Sequence, residues 1–330
     1  MINFGKILLL LCIFLLGHAD VQGKATGCAG GTASITYKPK FSTAGFFKLP
    51  DSGREVFSMN PAWRFHKGNA AEAETVNFDD SGWTVVSLPN GIEYLPTEAS
   101  GCVNYQGEVW YRKHFTPADT LRGKKLFLHF EAIMGKSRIF VNGQLMTEHF
   151  GGYLPVVVDM TDALKWGEDN VIAVWADNSN DPAYPPGKAQ EVLDFTYFGG
   201  IYRDCWLIAH NPVFITDPNF EDEVAGGGLF VAYDKVSETS AEVLLKVHVR
   251  NDSRKDFTGM VEYELLQPDG RQAASMTNKI RVRAGKATAS HDKILITDPA
   301  LWSPENPVLY HLNIRISDRK GNVVDGYCRR

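Results

Sequence analysis

The chain has 330 residues, 44% of them hydrophobic and 22% charged, with a formal net charge of −5. That length is enough for two domains and a sizeable buried core. The mild acidity, with no long basic run, excludes the basic stripe expected of a nucleic-acid-binding protein.

The first segment reads "MINFGKILLLLCIFLLGHADVQGK". Lys6 precedes an apolar run from Ile7 to Leu16, too short to span a bilayer but fitted to a secretory leader. Residues 1–23 are expected to be a signal peptide and residues 24–48 an N-terminal extension. The protein is expected to be exported, periplasmic or secreted, with no later stretch apolar and long enough to cross a membrane. Cys12 falls in the leader; Cys28, Cys102, Cys205 and Cys328 are far apart and lack C-x-x-C spacing. That argues against a zinc site and a dense disulfide framework. Export permits a Cys102–Cys205 bridge; the preferred expectation is free, buried thiols. Cys28 follows Ala25-Thr26-Gly27, faintly like a lipoprotein box, although it stands well past the apolar run.

Beyond the leader, short alternating runs dominate. "KKLFLHFEAI" sets Leu126, Leu128 and Phe130 on one face and Phe127 and His129 on the other. In "SRIFVNGQLM", Asn142-Gly143 joins two β-prone runs, and both residues tolerate the positive φ that a tight hairpin needs. "TDALKWG" allows one helical turn capped by Thr161. "NVIAVWADN" and "IYRDCWLIAH" continue the alternation. Arg203 and Asp204 are expected within the latter strand, pointing to opposite faces and so needing separate partners. A second block follows "HNPVFITDP": "AEVLLKVHVRND", with Val243, Leu245, Val247 and Val249 on one face, then "MVEYELLQPDG", "KIRVRAG", "KILITDP" and "VLYHLNIRISDRKGN". Roughly seven short strands in this space indicate an immunoglobulin-like sandwich. The fold class is therefore all-β.

The chain is weak in self-contained catalytic signatures. "GKS" at 135–137 lacks the earlier glycine of a phosphate-binding loop, whose place Phe130 holds. The histidines beyond the leader are scattered, and no metal site or cofactor is expected. Asp79 and Asp80 read as turn or surface residues, Asp194 and Glu191 as unpaired acids.

"WYRKHF" (110–115), "FVNGQLMTEHFGGYLPVVVDMTDAL" (140–164) and "GGIYRDCWLI" (199–208) resemble the N-terminal sugar-binding domain of glycoside hydrolase family 2. "FSMNPAWRFHKG" and "FDDSGWTVVSLPN" are similar to its opening strands, and "LWSPENPVLYHLNIRI" to the close of the immunoglobulin-like domain that follows it. The resemblance runs from about Gly53 onward, and exported β-galactosidases are the nearest type. It implies a jelly-roll-like, galactose-binding-like sandwich over residues 49–212 and an immunoglobulin-like sandwich over 213–326. Residues 327–330 would begin the linker to a catalytic barrel. The family's catalytic glutamates lie in that barrel, so no catalytic residue is assigned here. Glu305, in "SPENP", reverses the order of the family's Asn-Glu motif and receives no role.

By the same resemblance, Asp177 lines the galactose pocket from the end of a strand, with Asn178 beside it; the alternative is a simple Asx turn. Asn104 matches a pocket asparagine more loosely, with a turn as its alternative. Phe195, Tyr197 and Phe198 either stack on sugar rings or pack beneath their loop, and Gly199-Gly200 makes a bend where a side chain would clash. His149 and Tyr153 are expected to pack around the Gly151-Gly152 bend. The expected partners are an oligosaccharide or galactoside and the catalytic barrel. A secreted carbohydrate-binding module, or a structural sandwich docking a partner, remains as the alternative.

Overall fold

The computed structural model describes residues 49–93, 104–221, 223–224 and 227–329. The leader, the extension, Cys28 and Cys102 lie outside these. No helix among the described residues is long and apolar enough to cross a membrane. The described chain is nearly all β, and every strand pairing is antiparallel.

Ten strands build the first sandwich: β1 (Glu55–Ser58), β2 (Trp63–Lys67), β3 (Thr84–Val86), β4 (Glu108–Phe115), β5 (Lys125–Phe130), β6 (Lys136–Val141), β7 (Gln144–Phe150), β8 (Val156–Asp159), β9 (Asn170–Asp177) and β10 (Cys205–His210). They form a six-stranded sheet, β3-β2-β4-β9-β6-β7, and a four-stranded sheet, β1-β10-β5-β8. The alternation seen in sequence sorts their residues. Tyr111, Phe115, Ile139, Val174, Leu126, Leu128 and Phe130 meet in one core with Trp63. Asn142 and Gly143, at φ 52° and 82°, make the expected hairpin turn between β6 and β7. The segment at Thr161 is a single 3₁₀ turn, and Thr161 does not cap it. Its hydroxyl instead accepts the Leu126 N–H at 2.9 Å, tying the turn to β5.

The second sandwich comprises β11 (Val213–Ile215), β12 (Leu229–Asp234), β13 (Ser240–Asn251), β14 (Phe257–Leu266), β15 (Gln272–Val282), β16 (Lys286–Thr297), β17 (His311–Asp318) and β18 (Val323–Arg329). One sheet has β11 and β12 on one side of β13 and β16 on the other; the second runs β15-β14-β17-β18. Val243, Leu245, Val247 and Val249 enter the core between them.

β5 is buried on both faces. Its outward Phe127 joins Trp206 and Ile208 of β10 and Phe214 of β11 in a separate apolar cluster. The four-stranded sheet therefore lies in the middle of the molecule, with its own core on one side and the second sandwich on the other. Cys205, within β10, is a free and fully buried thiol.

Candidate functional site at the loop end of the first sandwich

Asp177 is the last residue of β9, in register with Glu108 of β4 and Lys136 of β6. Ala176 faces the core, so alternation turns Asp177 to the outer face of the six-stranded sheet. Its Oδ1 accepts the Ser179 N–H at 2.8 Å, closing an Asx turn. Oδ2 takes no hydrogen bond among the described residues. Lys136, its neighbour, is paired instead with Asp181 at 2.8 Å.

Asn178 is only 2% exposed. Its Oδ1 accepts the Gly107 N–H at 3.0 Å and its Nδ2 donates to the Tyr105 carbonyl at 2.8 Å. Asn104 is similarly enclosed: Nδ2 donates to the Tyr197 carbonyl at 2.8 Å, while Oδ1 accepts from Gln190 Nε2. Gln190 Oε1 in turn accepts the Asn104 N–H at 3.0 Å. Both asparagines thus spend their amides on the protein. They clasp the loop before β4 to the long loop between β9 and β10. Gln190, unremarkable in sequence, completes the clasp.

The aromatic trio divides. Tyr197 is buried, whereas Phe195 and Phe198 are 47% and 42% exposed. Tyr153 and Phe150 are likewise exposed, so Tyr153 does not pack around the bend as expected. The two glycines are required where they stand. A Cβ on Gly199 would lie 2.4 Å from Asn178 Nδ2, and one on Gly200, at φ +82°, 2.2 Å from the Tyr111 hydroxyl.

β10 begins at Cys205, so Arg203 and Asp204 fall in the bend before it, and strand alternation does not govern them. Both border one cleft of about 540 Å³ between the sandwiches, with Glu131, His129 and Arg329 among its other walls. Asp204 Oδ1 accepts from Asn60 Nδ2 at 2.8 Å, and the Arg203 guanidinium stacks on the Tyr202 ring, 5.3 Å from its centroid.

Asp79 closes an Asx turn on Ser81, as its neighbourhood in sequence suggests. Asp80 departs from the turn or surface expectation: it is 8% exposed and receives both Arg112 Nε at 2.9 Å and His114 Nε2 at 3.0 Å. Burial works against its ionisation, but these two partners outweigh burial and hold the carboxyl below its usual range. Glu305 is exposed in a loop of the second sandwich, away from any such partner.

Residues 58–212 match the model of the glycosyl hydrolases family 2 sugar binding domain, and residues 227–330 match that of glycosyl hydrolases family 2. The chain belongs to glycosyl hydrolase family 2. Among family 2 relatives, it is 28% identical over 276 residues to a β-galactosidase of Thermoanaerobacter pseudethanolicus, covering 83% of this chain and 35% of that protein. A β-glucuronidase of Formosa agariphila is 28% identical over 291 residues, covering 84% of this chain and 29% of that protein. A solved β-glucuronidase 2 of Bacteroides uniformis superposes with a TM-score of 0.75 at 29% identity, covering 83% of this chain and 32% of that one. The chain thus spans about a third of the length of the curated family 2 relatives it matches.

Proposed function

We propose that this chain is the scaffolding front of a family 2 β-glycosidase of the β-galactosidase type, and that it carries no catalytic pair of its own. Retaining glycoside hydrolysis needs two carboxyl groups about 5–5.5 Å apart, one kept protonated and one ionised. The described sandwiches spend their buried acids differently: Asp80 on Arg112 and His114, Asp325 on Arg54, and Glu131 on the Trp206 indole N–H at 2.8 Å. The observation that carries the reading is the chain's span of about a third of its relatives, folded as two antiparallel sandwiches. A catalytic barrel following these sandwiches would supply the reacting carboxylates. On this reading Asp177 offers Oδ2 to a terminal galactoside at the rim, while Asn178 and Asn104 hold the rim in place without touching sugar. The leader-like residues 1–23 support export.

The test is direct. Purified chain is incubated with p-nitrophenyl β-D-galactopyranoside and p-nitrophenyl β-D-glucuronide. Release of p-nitrophenol should not exceed the buffer blank for either. Galactoside hydrolysis that Asp177→Ala abolishes would overturn the proposal. Hydrolysis of the glucuronide would overturn it as well, and would point to the activity for which the Formosa relative is named.

A further inference from the structure

We propose that the cleft between the two sandwiches binds a neutral hexopyranoside, one sugar ring at a time. Its volume of about 540 Å³ lies within the roughly 300–1,000 Å³ typical of small-molecule sites. Pro89, Pro155 and Pro218 wall it with rigid apolar rings that lose no rotamer freedom on binding.

Three bordering side chains hold unspent hydrogen-bonding capacity. The Arg203 guanidinium makes no hydrogen bond or ion pair among the described residues; it rests only on Tyr202. Asp204 engages Oδ1 on Asn60, leaving Oδ2 open. Asn219 gives its main-chain N–H to Asp217 and commits neither atom of its side-chain amide. The cleft therefore presents a donor, an acceptor and a group that is both. Sugar hydroxyls donate and accept at once, and a pyranose ring also brings C–H faces to the proline and tyrosine walls.

Charge selects within the class. Glu131, Asp204 and Asp217 set three carboxylates against the guanidiniums of Arg203 and Arg329 and the His129 ring, which lies 3.5 Å from Asp217. A uronate would bring a further negative charge into that lining, so a neutral ring is favoured. The walls up to Asp204 belong to the stretch matched by the sugar binding domain model. The proposal rests on the carbohydrate reading of the family but not on any catalytic partner, so it stands or falls separately from the hydrolysis assay.

The experiment titrates the full chain calorimetrically with methyl β-D-galactopyranoside and, separately, methyl β-D-glucuronide. The galactoside should bind saturably and more tightly than the glucuronide. Arg203→Ala and Asn219→Ala, both at exposed positions, should each weaken it about tenfold, equivalent to about 1.4 kcal/mol, with unchanged thermal melts. Glu305→Ala, in an exposed loop of the second sandwich, should leave it unchanged. Absence of saturable galactoside binding overturns the proposal. So does binding that Asp177→Ala removes while the cleft variants keep it, or tighter binding of the glucuronide.

Discussion

Arg54 and Asp325, 271 positions apart, form a two-pronged ion pair that joins the sandwiches: Nε meets Oδ1 at 3.0 Å and Nη2 meets Oδ2 at 2.6 Å. Asp325 is fully buried and also accepts the Ile215 N–H at 2.7 Å, while Arg54 reaches the Ile215 carbonyl at 2.8 Å. Removing one partner of a buried pair strands the other charge, at about 3–5 kcal/mol. Asp325→Ala should therefore lower the urea midpoint sharply. Arg54→Met with Asp325→Leu should recover much of the loss, because paired removal leaves no stranded charge. A single Asp325→Ala that melts like the parent would refute this account of the joint.

The clasp at the loop end gives a second expectation. Asn178→Ala leaves the Gly107 N–H and the Tyr105 carbonyl without their partner, at about 1–3 kcal/mol. Limited proteolysis should then cut faster within residues 179–198. Asp177→Ala removes one half-exposed Asx-turn bond and should cost under about 1 kcal/mol, leaving the digestion pattern unchanged.

His114 sets a pH dependence. Its ring bridges Asp80 at 3.0 Å and Asp169 at 2.6 Å. The hydrogen bond to Asp80, reinforced by Asp169, raises its pKa above the ordinary 6.5 despite burial. A raised folded-state pKa means stability fully present below 6.5 and lost as pH climbs through the higher folded value. Asp80 has the opposite sign: its contribution is present above the ordinary 3.8 and fades as pH falls through the lower folded value. Their joint contribution is thus greatest between about 3.8 and 6.5. Melting temperature should decline on the alkaline side, and His114→Gln should flatten that limb.

Glycines separate by environment. Gly200→Ala forces a side chain onto φ +82° and into the Tyr111 hydroxyl, so it should cost at least about 2 kcal/mol. Gly82→Ala meets nothing within 4 Å and should stay within about 0.5 kcal/mol of the parent. Chemical denaturation of the two variants compares them directly.

The strands were readable because one buried face imposes alternation, as at Val243 to Val249 and at Leu126 to Phe130. The Asn142-Gly143 turn was equally plain, since only permissive residues accept two positive φ values in succession. What sequence does not carry is the identity of partners distant along the chain. Alternation sets Phe127 and His129 on the face of β5 opposite Leu126 and Leu128, but it does not tell that Phe214 and Asp217 lie against that face. Asp80 sits in a stretch with turn chemistry, yet Arg112, 32 residues on, draws it inward. Gln190 gives no local signal, because its partner Asn104 lies 86 residues earlier. Arg203 and Asp204 were misplaced for a different reason: alternation predicts faces only inside a strand, and the Gly199-Gly200 bend delays its start to Cys205.

Because β18 is pinned at Asp325 against the segment leading into β1, its last residues have little freedom to swing. Any module fused after them inherits a fixed origin and heading, as a boom does from its mast. Loosening that anchorage would therefore misaim an attached domain even where neither sandwich had melted.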